Sequence, residues 1–188
     1  MKSYRLFFSV FLMLSAIFLF SCEDEPLDVG LDDGLPNLEM GTISFKVDGV
    51  NKEFVGLATH RNHEFEDIGM KGWQITSTSL EGSESLGIQL FPAELEPGDY
   101  DLGTDVFEWT YVVSYMKLIN TETMEMESYD SISGNVTISD IDLENETMSG
   151  SFNATLVDFD TEEITIEITD GRISNIPLVV VDDSDFGL

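Results

Sequence analysis

Three groups of side chains have types and spacings suited to chemistry: a lone thiol, a histidine pair and two acidic runs. Cys22 is the single cysteine of the 188-residue chain and closes its one long apolar run, in Leu19-Phe20-Ser21-Cys22. That setting reads as a lipobox, where the thiol is acylated and the chain is cut just before it. The chemistry suits the count, since an exported chain with one cysteine has no partner for an internal disulfide. Two or more acyl chains, at about 0.8 kcal/mol per buried methylene, make a stable anchor where one is marginal.

The histidine pair lies in His60-Arg61-Asn62-His63, with Glu64, Glu66 and Asp67 close behind. A helical zinc pair needs i, i+4 spacing; here it is i, i+3 in a predicted loop, and Arg61 would repel a cation. Two solvent-exposed loop histidines are expected, and no metal site. The acidic runs are Asp140-Ile141-Asp142-Leu143-Glu144-Asn145-Glu146 and Asp158-Phe159-Asp160-Thr161-Glu162-Glu163. Calcium wants several hard oxygens converging on one point, and the EF-hand pattern adds a glycine at its sixth position and a glutamate at its twelfth. Neither run supplies both, so solvated hairpin turns are expected, with weak calcium binding the lesser reading.

Aromatic side chains offer a fourth group. Trp109, Tyr111, Val113 and Tyr115 fall on one face of a predicted strand, where they could line a ligand cavity, stack on a glycan or fill a core. The opposite face, Thr110, Val112, Ser114 and Met116, is partly apolar too, which predicts a strand covered on both sides. No G-x-S-x-G elbow and no phosphate-binding glycine loop occurs. Carboxylate pairs for glycoside hydrolysis are defined by separations of roughly 5–10 Å in space, which 37 acidic residues neither establish nor deny. No catalytic residue and no cofactor is expected.

The elements that would position these groups fall into four segments. Residues 1–21 have the layout of a secretory signal: Lys2 and Arg5, then Leu6 to Phe20 without a charge. Fifteen residues make a helix of roughly 22 Å, short of the ~30 Å hydrocarbon core, so a cleaved signal is favoured over a permanent span. Residues 22–40 form an acidic tether. Glu23 to Met40 carries seven acidic residues and no basic one, broken by Pro26, Gly30, Gly34 and Pro36. Its end-to-end distance is roughly 24 Å, several times the ~8 Å Debye length of physiological salt. Residues 182–188 are expected to be a frayed acidic tail.

Between them, residues 41–181 show a period of two. Ile43, Phe45 and Val47 alternate with Thr42, Ser44 and Lys46; Lys52 to Thr59 returns after Asp48-Gly49, whose residue types tolerate positive φ at both positions. Trp73, Ile75 and Ser77 alternate, as do Leu86, Ile88 and Leu90. Phe107 to Ile119 is a long strand, and Val136 with Ile138, Phe152 with Ala154 and Leu156, and Ile164 with Ile166 and Ile168 follow. Pro97-Gly98 has the central residues of a type II turn, and Pro177 to Val181 reads as a final edge strand or packed tail. The domain is predicted to be all-β, an antiparallel sandwich or barrel of about eight to nine strands behind a flexible tether.

Charge excludes some partners. Without residues 1–21 the chain has 167 residues, six Lys+Arg and 37 Asp+Glu, a formal charge of −31. Nucleic acid, whose phosphates require Lys and Arg, is excluded, as is lying flat on an anionic membrane. Such a charge also favours a soluble monomer.

Several short motifs resemble a family of small Bacteroidota lipoproteins of uncharacterised activity. Ile168-Thr169-Asp170-Gly171-Arg172-Ile173-Ser174-Asn175-Ile176-Pro177 is similar to their closing element, and Phe45-Lys46-Val47-Asp48-Gly49 with Lys52-Glu53-Phe54 to their opening hairpin. Leu95 to Gly103, Ser133 to Ile138 and Met148 to Phe152 match in style. Glu23-Asp24-Glu25 behind Cys22 resembles the acidic export signal of lipoproteins shown on the outer surface. The resemblance implies an all-β lipoprotein domain and carries no catalytic residue; Gly171 by itself reads as a turn position needing positive φ. The expected protein is a lipid-anchored, surface-exposed outer-membrane protein with a binding or structural β-domain. A glycan or another envelope protein is the expected partner. A lipocalin-like carrier of a small ligand and a carboxylate-based hydrolase are the alternatives.

Overall fold

Alternation of apolar and polar side chains sorts this chain into an inside and an outside. In the computed structural model, which describes residues 40–61, 71–103, 111–159, 161 and 165–181, nine strands and no helix occur among the described residues. They are β1 (Gly41–Val47), β2 (Val50–Arg61), β3 (Gly72–Ser79), β4 (Glu84–Leu90), β5 (Gly98–Leu102), β6 (Val112–Asn120), β7 (Glu125–Asp142), β8 (Thr147–Asp158) and β9 (Thr165–Val181). Strands β7-β6-β4-β3-β2-β1-β9-β8 are neighbours in that order, and β8 pairs back onto β7. The result is a closed eight-stranded antiparallel barrel with β5 as an extra strand on β7. Closure removes the sandwich alternative. Closure also leaves no open edge within the ring.

β7 can serve two neighbours on one side, besides β8 on the other, because it is long. Its first part pairs with β6 as far as Asp130, and Gly134–Ile138 pairs with β5. β9 does the same: beyond Ser174 it leaves the end of β1, and Leu178–Val181 runs parallel to Ala58–Arg61 of β2. The predicted edge strand at Pro177 to Val181 is thus the last part of β9. β9 turns through two bulges, at Asp170 (φ 55°) and Asn175 (φ 44°), where pairs of successive residues face outward and the partner register shifts. Bulges of this kind bend and twist a strand, as a barrel wall requires.

Most inward positions are apolar. Phe45 stacks edge-on against Phe54 (ring centroids 4.9 Å) and contacts Tyr115 (6.5 Å) and Phe152 (5.9 Å), while Trp73, Ile75, Ile88, Val113 and Leu156 are fully buried. Outward positions include Thr42, Ser44, Lys46, Gln74, Thr76, Thr78 and Gln89. A membrane-spanning barrel has the reverse arrangement, apolar outside.

The antiparallel directions put the tips after β1, β3, β6 and β8 at one end of the barrel and Met40 and Val181 at the other. The tip after β1 has the expected chemistry, with Asp48 at φ 48° and Gly49 at φ 81°. The tips after β6 and β7 share one design. Asn120 Oδ1 accepts the amides of Glu122 and Thr123 (2.9 and 3.2 Å), Asp142 Oδ1 those of Glu144 and Asn145 (both 3.0 Å), and Met124 and Glu146 then take positive φ.

Two expectations fail. Gly98 does not adopt the positive φ of a type II turn but opens β5, paired with Ile138. Gly171 is no turn residue either: Asp170 before it carries the positive φ, and Gly171 faces inward where a Cβ would lie 2.4 Å from the Phe152 carbonyl oxygen and 2.7 Å from its ring. Close approach, not backbone freedom, demands that glycine. Gly87 in β4 meets nothing within 4 Å and lacks positive φ. Gly171→Ala should therefore destabilise by about 1–3 kcal/mol through overpacking, whereas Gly87→Ala should stabilise by up to ~1 kcal/mol. Urea midpoints of the two variants check this, and equal midpoints would contradict it.

Candidate functional site

Of the predicted site residues, Cys22, His63, Glu64, Glu66, Asp67, Trp109, Asp160, Glu162 and Glu163 lie outside the described residues, as does the segment preceding Tyr111 in the predicted long strand. His60, Tyr111 and Tyr115 sit at the two ends of the barrel interior.

At the end holding Met40, three side chains grip the segment Phe91–Pro97 by successive carbonyls. Tyr111 Oη donates to the Pro92 carbonyl (3.2 Å), His60 Nε2–H to that of Ala93 (3.1 Å) and the Trp73 indole N–H to that of Glu94 (3.1 Å). The Ala93 amide donates to the Lys71 carbonyl (3.1 Å), and the Lys71 ammonium pairs with the Glu94 carboxylate. Tyr100 packs edge-on to Tyr111 (5.0 Å), and His60 edge-on to Trp73 (4.6 Å). His60 is thus a fully buried residue of β2, not the exposed loop histidine expected. β2 runs on to Arg61, past Thr59, and that extension carries the imidazole to an inward position.

At the hairpin end the inward register brings polar groups together across the mouth. Lys52 Nζ donates to both oxygens of Glu84 (2.8 and 2.7 Å). The Tyr115 phenol faces the Glu84 carboxylate, and Tyr129 Oη donates to Glu127 Oε2 (3.1 Å). Both rings are buried and tilt against each other at 6.3 Å. Of the aromatic stripe, Tyr115 is therefore part of the filled interior at 3% exposure, and Tyr111 is half-buried at the opposite end. Neither stands on an open stacking face.

Lys52 and Glu84 were not singled out in the sequence, though a signal was present. Each stands on the apolar face of its strand, one alternation before Phe54 and Leu86 respectively. Opposite charges at inward positions mark a pair that must meet inside.

The electrostatics favour holding over reacting. Burial is the main cause that pushes the Tyr115 phenol well above its ordinary value, with the negative charge of Glu84 and the hydrogen bond to it adding to the effect. Burial likewise raises Tyr129, helped by its bond to Glu127, and raises Tyr100, against the opposing contact with Trp73. These phenols stay protonated at neutral pH and act as donors, not bases. On the outer side of β7, burial raises Asp130, offset in part by the Ser114 hydroxyl, which donates at 2.6 Å.

The acidic run from Asp140 ends β7 and turns over residues 143–146, and the Asp142 carboxylate is occupied by Asn145 and Glu144, whose hydrogen bonds hold its pKa below the ordinary value. Among the described residues no three His, Cys, Asp or Glu side chains gather as a metal site would need. A shallow groove of about 360 Å³ lies on the β1–β2 hairpin, lined by Ser44, Lys46, Asn51, Lys52, Glu53 and Asp170. Lys46 Nζ spans it to Asp170 Oδ2 at 2.7 Å.

Compared with known proteins, the chain matches no protein-family model, no curated protein and no solved structure.

Two titrations follow. A raised phenol pKa contributes stability that is complete below pH ~10 and is lost as pH climbs through the folded value. The 295 nm absorbance of Tyr115 should therefore rise only with alkaline unfolding, and Tyr115→Phe should remove that late component. Ionisation of all tyrosines in one step near pH 10, before unfolding, would contradict this. For Asp130 the raised pKa makes its ionised form costly at neutral pH. Asp130→Asn keeps an acceptor for Ser114, so it should melt above the parent at pH 7, with the gain gone by about pH 3. Equal melting points at pH 7 would contradict the assignment.

Proposed function

We propose that this protein is a lipid-anchored outer-membrane protein whose acidic barrel is displayed on the cell surface and works by binding rather than catalysis. The observation that carries the reading is the order Cys22, acidic breaker-rich tether, barrel: a lone thiol at the end of the only long apolar run, followed by a stretch that repels an anionic bilayer. The resemblance of its strand and bulge motifs to small Bacteroidota lipoproteins points the same way, as does Glu23-Asp24-Glu25. Binding through the outer surface, to a glycan or an envelope protein, is favoured over carriage of a ligand inside. Phe45 meets Phe54, Tyr115 and Phe152 across the interior, and polar bonds cross both ends. Binding is favoured over hydrolysis because the polar groups at those ends are engaged within the protein: Glu84 with Lys52, Glu127 with Tyr129, Glu94 with Lys71 and Tyr111 with the Pro92 carbonyl.

Protease treatment of intact cells tests this. The native domain should be digested from whole cells, and Cys22→Ala should remove it from the surface fraction. Protection of the native domain until the cells are broken would overturn surface display.

A further inference from the structure

Apolar side chains at the tips of a soluble hairpin have no packing reason to be there, and single ones are common. Here all four tips of the hairpin end carry one. Val50 follows the tip after β1 (61% exposed), Leu80 occupies the tip after β3 (83%), Ile119 and Met124 flank the tip after β6 (50% and 67%), and Phe159 begins the connection after β8 (39%). Backbone bonds link these tips in series around the rim: Leu118 N–H to Ser83 O (2.8 Å), Phe159 N–H to Ser128 O (2.8 Å) and Asp48 N–H to Glu167 O (2.9 Å). Asp48, Glu81, Glu122, Glu125 and Asp158 stand among them, while Lys52 at the mouth is already paired with Glu84. This end is also the one opposite Met40, through which the chain enters the barrel.

We propose that the ring of hairpin tips is a docking surface for a protein segment whose apolar side chains are flanked by Lys and Arg. Charge complementarity selects that occupant. A chain of charge −29 repels its own copies and anionic lipid at long range, and steers a basic partner toward an end that can then bury Leu80, Ile119 and Met124. The proposal rests on the reading of the barrel as a binding module and is independent of how the chain is anchored.

The test uses the full chain in phosphatidylcholine nanodiscs and three photo-crosslinkable peptides, with alternating Lys/Leu, Lys/Ser or Glu/Leu. The expected result is Lys/Leu binding at least tenfold tighter than Lys/Ser, no binding of Glu/Leu, and crosslinks confined to the four tips. The triple variant Leu80→Ser, Ile119→Ser, Met124→Ser leaves the charge unchanged and should lose that tenfold preference while keeping the parent's circular dichroism. If that variant misfolds, Leu80→Ser alone should lower the preference at least threefold. Equal affinity for Lys/Leu and Lys/Ser, or crosslinks spread along the barrel wall, would overturn the proposal in favour of charge alone. Self-association of the parent abolished in the variant would make the occupant a second copy, and flotation of the peptide-free domain with added vesicles would make it lipid. Either would overturn the basic partner without bearing on surface display.

Discussion

The pairing of β7 with β8 is the constraint on which the rest of this structure depends. It joins the two ends of the strand order, so that every interior residue gains a wall on all sides. Backbone groups of a strand left open would demand another partner, and here the eighteen-residue length of β7 supplies it. β6 occupies the first part of its far side and β5 the later part. Asp99 and Asp101 on β5 are exposed, charges of the kind that discourage pairing beyond the ring.

Closure turns the alternation into a filled centre. Phe45 touches aromatic rings from β2, β6 and β8, so one residue links strands far apart in sequence. The ends are closed by different means. Hydrogen bonds from Tyr111, His60 and Trp73 to consecutive carbonyls hold one, and the Lys52–Glu84 and Tyr129–Glu127 bonds hold the other. In both, buried polar groups are satisfied by geometry that only the closed ring provides, which is the condition for tolerating them.

Strand positions and inward residues were legible in the sequence because a two-residue period reports one buried face directly. Ile43, Phe45, Trp73, Ile75, Leu86, Ile88, Val136, Ile138 and Phe152 are all inward as the pattern requires. Barrel closure was not legible, since it depends on pairings such as β1 with β9 that leave no local trace. Gly171 misled because a glycine serves positive φ and close approach equally well, and only the position of Phe152 separates the two. His60 misled because its neighbours are polar and the strand end fell beyond the last clear alternation. Lys52 and Glu84 show the converse: a charge on an apolar face is a local signal whose partner is set by the fold.

The proposed function turns on Cys22, whose acylation would make the acidic stretch a tether and the barrel a displayed module. The most direct measurement is the mass of the N-terminal peptide of the mature protein purified from membranes. A peptide beginning at Cys22 and carrying acyl chains is the expected result. A mature chain that begins elsewhere, or that retains Cys22 as a free thiol, would contradict it.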